Sequence, residues 1–379
     1  MSRAGYLVLI VTGLLGPPAI ATEIAEREVL KNDATAKFEA RDFAALDAMW
    51  RSFHETKART SSGVWKQRFL HDGVMAAVVD DQDKLEPSAR EQIAAWIAHS
   101  PESPPARVAM AKVMRAEAWS HRGRGYASTV PPEKWKPFHA GITEAVAYLN
   151  AHRAIADVDP AWYEQMLLNA TAQDWDGERF QALFEEALQK EPHFYGTYFA
   201  ALEYFLPKWH GSPIEIEAFA RDAVRRTRDV EGTSMYARIY WMAAERQYKN
   251  RLLEDSKVVW VDLKKAFEDM IERYPSDWNR QNFAYFACLA KDKPVARTLM
   301  KGIPQRQPDM WDVLWARDCL NWIDMESKVS ARAAQVKAFL EDRQREQLHS
   351  RLRLVFGVGC GALLVGALIA RARRSGRKA

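Results

Sequence analysis

Cysteine is scarce in this chain, three residues in 379, and none of the three has a C-x-x-C partner. A thioredoxin-like redox pair and a cysteine zinc cage are therefore not written here. The nine histidines supply no H-E-x-x-H and no pair four residues apart, so a metal site would have to be assembled from distant positions. G-x-S-x-G and the phosphate-binding G-x-x-x-x-G-K-[ST] are both missing. No set of alternating strands appears either. These absences predict no cofactor, no metal and no enzymatic activity.

An excess of positive charge is also missing from the body of the chain. The formal net charge is +4, but Arg3 and five basic residues of the tail 371–379 stand with no acid beside them. Setting those six aside leaves 48 Lys and Arg against 50 Asp and Glu. The electrostatic footprint of a nucleic-acid binder is thereby excluded.

What is present begins at the two ends. "MSRAGYLVLIVTGLLGPPAIATE" has a positive start, a short apolar run and a small-x-small site. This predicts a secretory signal over 1–21, cleaved between Ala21 and Thr22; the apolar run is too short for a spanning helix. "LVFGVGCGALLVGALIA" (354–370) carries no charge and predicts a transmembrane helix, with the basic tail 371–379 kept in the cytoplasm. The expected location is a bacterial inner membrane, crossed once, with the body in the periplasm. Gly357, Gly361, Ala362 and Gly366 recur at a spacing that lets two such helices meet, which would make a homodimer.

Between the ends the hydrophobic period is near 3.6, which predicts an all-α body. Ser212 before Pro213, Asp159 before Pro160, and Ser276 mark helix starts, and Ser62 is expected to cap another. "HSPESPPAR" has three prolines in five positions and predicts a boundary near residue 100. Phe184, Ala187 and Pro192 are spaced F-x-x-A-x-x-x-x-P, and Phe267, Met270 and Pro275 repeat the spacing 83 residues later. This is the ending of a tetratricopeptide-type repeat. The organisation expected is an N-terminal helical segment (22–100), a helical-hairpin repeat solenoid (101–325), a charged juxtamembrane helix (326–353) and the span. Such solenoids offer concave faces to peptides, where Tyr195 and Tyr198 are candidate contacts. The acidic pairs Glu185/Glu186 and Glu215/Glu217 are expected to face water.

Cys288 and Cys319, in what should be neighbouring helices, form either a disulfide, which an exported compartment permits, or two buried thiols. "AWSHRGRGYAS" (118–128) is the densest polar cluster, but it follows an amphipathic helix and suits a helix C-terminus, where His121, Arg122 and a glycine cap belong. Arg122, Arg124 and Tyr126 are expected to tie that turn to a neighbouring helix, and with His121 and His210 they are the candidate ligand contacts.

"SSGVWK" (61–66), "AWSHRGRGYAS" (118–128), "LPKWHGS" (206–212) and "FACLAKDKPVAR" (286–297) together resemble a bacterial family known as a domain of unknown function, built from degenerate tetratricopeptide-like helices. His210 stands where that resemblance leads one to expect glycine. The resemblance implies a helical-repeat fold in exported or membrane-attached proteins and carries no catalytic residues. The function expected is a membrane-tethered scaffold binding a protein or peptide partner in the cell envelope; the alternative is an envelope hydrolase acting on cell-wall or glycan material.

Overall fold

The computed structural model describes residues 22–80, 84–123 and 125–301, together with positions 319, 322, 337 and 340–343. Two units divide the chain, Met1–Gln305 and Arg306–Ala379. In the second, positions 337 and 340–343 are helical. The rest of the predicted 326–353 helix, the span with its Gly357, Gly361, Ala362 and Gly366, the basic tail, and the signal segment with Ala21 lie outside the described residues. Among the described residues no helix is long and apolar enough to cross a membrane.

Among its described residues the first unit is all-helical, with no strand. It opens with α1 (Glu23–Glu39), α2 (Phe43–Thr56), α3 (Lys66–Ala76), α4 (Ala89–His99), α5 (Pro104–Arg122) and α6 (Pro132–Ala151). A single turn, α7 (Arg153–Ala156), leads to α8 (Ala161–Ala172), α9 (Gly177–Lys190), α10 (Tyr195–Phe205), α11 (Pro213–Glu231) and α12 (Ser234–Ala243). The short α13 (Leu252–Asp255) precedes α14 (Trp260–Arg273), α15 (Asp277–Leu289) and α16 (Lys293–Lys301).

Local chemistry fixes six of the starts. Thr22, Asp42, Ser103, Asp176, Ser212 and Ser276 each accept a hydrogen bond from the amide three residues on, satisfying a donor that the first helical turn leaves free. Ser62 does not cap α3: that helix begins after Trp65 without a side-chain cap, because Ser62 is buried in other bonds. The prolines at 101, 104 and 105 do separate α4 from α5, yet both helices belong to the first unit. The physical reason is that α5 has two apolar faces. Met110 and Val113 pack with Phe38, Trp50, Leu70 and Trp96 of α1–α4, whereas Val108 and Ala111 join Trp162, Phe184, Tyr198, Tyr240 and Phe267 in a second core.

The spaced aromatic and small residues occupy equivalent places. Phe184 and Ala187 are buried on α9, and Phe184 meets Tyr198 of α10 edge-on at 5.8 Å. Phe267 and Met270 are buried on α14, and Phe267 stacks on Phe283 of α15 at 5.2 Å. Pro192 and Pro275 lie between the helices of each pair. The helices α11 and α12, between the two pairs, account for the 83-residue interval. Not all of the acidic pairs simply face water, since Glu185 binds Arg226 of α11 and Glu217 accepts from Tyr236 and Tyr240 of α12.

The loop between α2 and α3 is where the first helices join the later ones. Thr60, Ser61 and Ser62 donate to the buried Glu23 carboxylate through three hydroxyls and the Ser62 amide. Arg59 pairs with Glu231 at 3.0 Å, and the Ser62 carbonyl accepts from Arg238 and Asn279. Trp65 donates to the His193 carbonyl at 2.7 Å. Elsewhere, Asp159 accepts from Gln67, pairs with His71 at 2.9 Å and caps the Ala161 amide. Asp159 thus serves its predicted helix start and a buried His–Asp pair at once.

Acid sensitivity follows from these bonds. Burial pushes the carboxyls of Glu23, Glu231 and Asp159 up, but Arg27 and the serines, Arg238 and Arg59, and His71 respectively hold all three below the ordinary range. A carboxyl depressed in the folded state stabilises fully above its unfolded value, roughly pH 4, and that stabilisation is lost as pH falls through the lower folded value. The urea midpoint is therefore expected to be flat from about pH 7 to 5 and to drop steeply below about pH 4. An unchanged midpoint down to about pH 3 would mean that these groups are not ionised partners.

Candidate functional site

At the end of α5, the "AWSHRGRGYAS" turn is built as its composition suggests. Gly123 ends the helix with φ 78°. The Arg122 guanidinium lies 5.0 Å from the rings of both Trp119 and Trp135, and donates to the carbonyls of Gly123 and Gly125. Arg122 thus ties the turn to α6, as expected. Tyr126 does not: it is 82% exposed. His121 is exposed as well, and Arg124 lies outside the described residues.

The aromatic candidates are not at a groove. Tyr195 and Tyr198 are buried in the second core, and Tyr195 lies under the guanidinium groups of Arg59 and Arg238. Most of α10 is buried, because α8, α11 and α12 all pack on it. His210 stacks on Tyr204 at 4.3 Å and sits 3.3 Å from Asp174, which is largely exposed. That pair links the loop before α9 to the loop after α10. Cys288, near the end of α15, is disulfide-bonded, and so is Cys319.

A cleft in the first unit has a different set of residues. Its volume is about 310 Å³, the lower end of the size range of small-ligand sites. Three cations reach it: Arg68 from α3, Arg115 from α5, and Arg246 from the π-helical turn Ala244–Tyr248 that extends α12. Two carboxylates face them, Glu164 from α8 and Glu203 from α10. Trp119, Leu168, Phe199 and Trp209 supply apolar wall.

These charges differ in how far they are already satisfied. Glu203 accepts from Trp209 and pairs with Lys208 and Arg246. Burial raises its carboxyl, but Arg246 and Lys208 outweigh that and keep it below the ordinary value. Arg246 also donates to the Phe199 carbonyl at 2.6 Å, so the π-turn, a feature frequent at functional sites, locks Arg246 and Glu203 to each other. Arg68 reaches Asp72 at 3.4 Å.

Arg115 and Glu164 are the unsatisfied pair. The Arg115 side chain makes one hydrogen bond, from Nε to Gln165, at 3.3 Å. Burial pulls this guanidinium below its ordinary value, with Glu164 and Glu203 opposing. The Glu164 carboxylate has neither a hydrogen-bond nor an ion-pair partner among the described residues, although Arg115 and Arg68 are near enough for their charges to be felt. One Glu164 oxygen lies over the α10 backbone at Gly196, where a Cβ would come within 2.6 Å of it. Glycine at this position thus makes room for the carboxylate.

None of the five charged residues was singled out by motif or spacing. The overlooked signal is that Glu164 and Glu203 are the lone charges in the otherwise apolar helices "AWYEQMLLNATA" and "YGTYFAALEYF", while Arg115 interrupts the buried stripe Ala111, Ala118 of α5. Among the described residues no group of three His, Cys, Asp or Glu is arranged to hold a metal ion.

The cleft draws on helices that lie on both sides of a family boundary. Domain of unknown function (DUF4034) covers residues 32–173. That segment holds the resembling stretches "SSGVWK" and "AWSHRGRGYAS" and supplies Arg68, Arg115 and Glu164, while Glu203 and Arg246 lie beyond it. No curated protein and no solved structure matches the chain.

Proposed function

We propose that this is an exported, membrane-tethered helical-repeat scaffold that binds a protein or peptide partner in the cell envelope, with the arginine- and glutamate-lined cleft as its recognition site. In this reading the body is a degenerate tetratricopeptide-like array, the segment 354–370 is the anchor, and the family resemblance extends past residue 173 into the later hairpins. The observation that carries the proposal is the cleft's Arg115 and Glu164: two charges on packed helices, left without an ion pair to each other or to any other of the described residues. Both residues are only half-buried, so a ligand of complementary charge can exchange their water for charge-assisted hydrogen bonds. The hydrolase alternative fits these charges less well. General-acid chemistry on a glycan needs a carboxyl with a raised pKa, whereas Glu203 is held below its ordinary value.

Site-specific photo-crosslinking in native membranes tests the reading. A photoreactive residue at Leu168, in the cleft, is expected to yield a recurrent adduct with an envelope protein or peptide. The same residue at Arg225, on the exposed side of α11, is expected to yield none. The same adducts from both positions, or none from Leu168, would remove the cleft as the recognition site.

A further inference from the structure

The chemistry of the cleft narrows what it can take. Resting on the reading of the cleft as a recognition site, we infer that its ligand is a single α-carboxylate residue with an apolar side chain and a nitrogen donor on the same carbon. A phosphate or other polyanion would meet two carboxylates, Glu164 and Glu203, in a space of about 310 Å³. A simple cation would meet three guanidinium groups. The charges the protein leaves unpaired are one of each sign, the Arg115 guanidinium and the Glu164 carboxylate, close enough to act on each other and yet not in contact. An α-carboxylate with its neighbouring N–H has this same paired polarity. The carboxylate docks on Arg115, whose planar fork suits two parallel hydrogen bonds. The nitrogen donates to Glu164.

The rest of the cleft fits the same ligand. Leu168, Phe199 and the Trp119 ring offer a side chain apolar contact. Arg246 and Glu203 satisfy each other and act as a fixed rim. Gly196 keeps the Glu164 carboxylate in place by leaving room for it over the backbone.

Two sources carry this chemistry, a free amino acid and the C-terminal residue of a peptide, and calorimetry on the purified full chain separates them. Leucine stands for the free amino acid, N-acetylleucine for a peptide C-terminus, and leucinamide keeps the nitrogen but lacks the carboxylate. Binding of leucine or N-acetylleucine, with leucinamide silent, is the expected result. N-acetylleucine binding, with or without leucine, assigns a peptide terminus, and leucine alone assigns the free amino acid. Arg115→Gln and the milder Arg115→Lys are each expected to weaken binding at least tenfold, with thermal melts confirming that the variants are folded. Glu164→Gln is expected to weaken leucine more than N-acetylleucine, because only the former brings a full positive charge. Leucinamide binding as tightly as leucine, a folded Arg115→Gln that binds unchanged, or no binding by any of the three compounds would overturn the inference. If no compound binds while the Leu168 adduct persists, the ligand class falls and the recognition reading stands; if the adduct is lost too, both fall.

Discussion

Glu231→Ala is expected to cost the first unit about 3–5 kcal/mol, read as a lowered urea midpoint, because it leaves buried cations without their anion. Glu231 is 0% exposed. Its carboxylate accepts from Arg59 at 3.0 Å, from the Tyr274 hydroxyl at 3.1 Å and from Ser234 at 3.0 Å. Arg59 and Arg238 lie 4.8 and 4.4 Å from the Tyr195 ring, so two guanidinium groups depend on the one carboxylate for charge balance. Cation–π contact compensates a desolvated guanidinium by only about 1–2 kcal/mol, well short of what a buried counter-ion supplies. Glu231→Gln keeps the hydrogen-bonding shape and loses the charge, so its loss is expected to be smaller and its stability less sensitive to acid. A loss below about 1 kcal/mol for Glu231→Ala would show that water reaches Arg59 and Arg238 and that the network is not buried in solution.

The same network explains why some of the sequence was legible and some was not. Ser212, Ser276 and the proline-marked turns acted locally, through bonds to amides three residues away, so their spacing was enough to read them. The Phe184/Ala187 and Phe267/Met270 positions were legible for a similar reason, since the residues that face a hairpin partner lie one or two turns apart. Ser62 was misread because its partners, Glu23, Arg238 and Asn279, lie 39, 176 and 217 residues away. Nothing local distinguishes a serine that caps a helix from one that satisfies a distant carboxylate. The stretch "SSGVWK" is thus a structural anchor: Ser61 and Ser62 hold Glu23 and Lys66 holds Glu26, both on α1, while Trp65 reaches the His193 carbonyl. The cleft was illegible for the opposite reason. Two of its charges, Arg115 and Glu164, are defined by what they fail to contact, and an unsatisfied group is visible only once the neighbours are placed. Even so, a lone Glu in an apolar helix is a departure from pattern that carries information, since such a charge needs a partner or a ligand.

Gly63→Ala is expected to destabilise the unit by about 2–5 kcal/mol, although it adds one methyl group. Two effects act together. Gly63 has φ 88°, in the region where any Cβ is strained against the following carbonyl. The added carbon also lands 2.8 Å from Arg238 Nη2 and 2.8 Å from the Tyr274 ring, in a site already full. Neither neighbour can retreat cheaply. The other contacts of Arg238 are the Ser62 carbonyl and the Tyr195 ring, and the Tyr274 hydroxyl is held by Glu231. The loop backbone resists as well, closed by the Thr60 amide on the Val64 carbonyl and the Lys66 amide on the Ala58 carbonyl, both at 2.8 Å. Because Gly63→Ala and Glu231→Ala both disturb Arg238 and Tyr274, their effects are expected not to add. The double variant should lose at least 0.5 kcal/mol less than the two single losses together, about the smallest coupling seen between residues that share partners. Strict additivity would mean that the loop and Glu231 are held independently, and that the α2–α3 loop is not the joint between the first helices and the later ones.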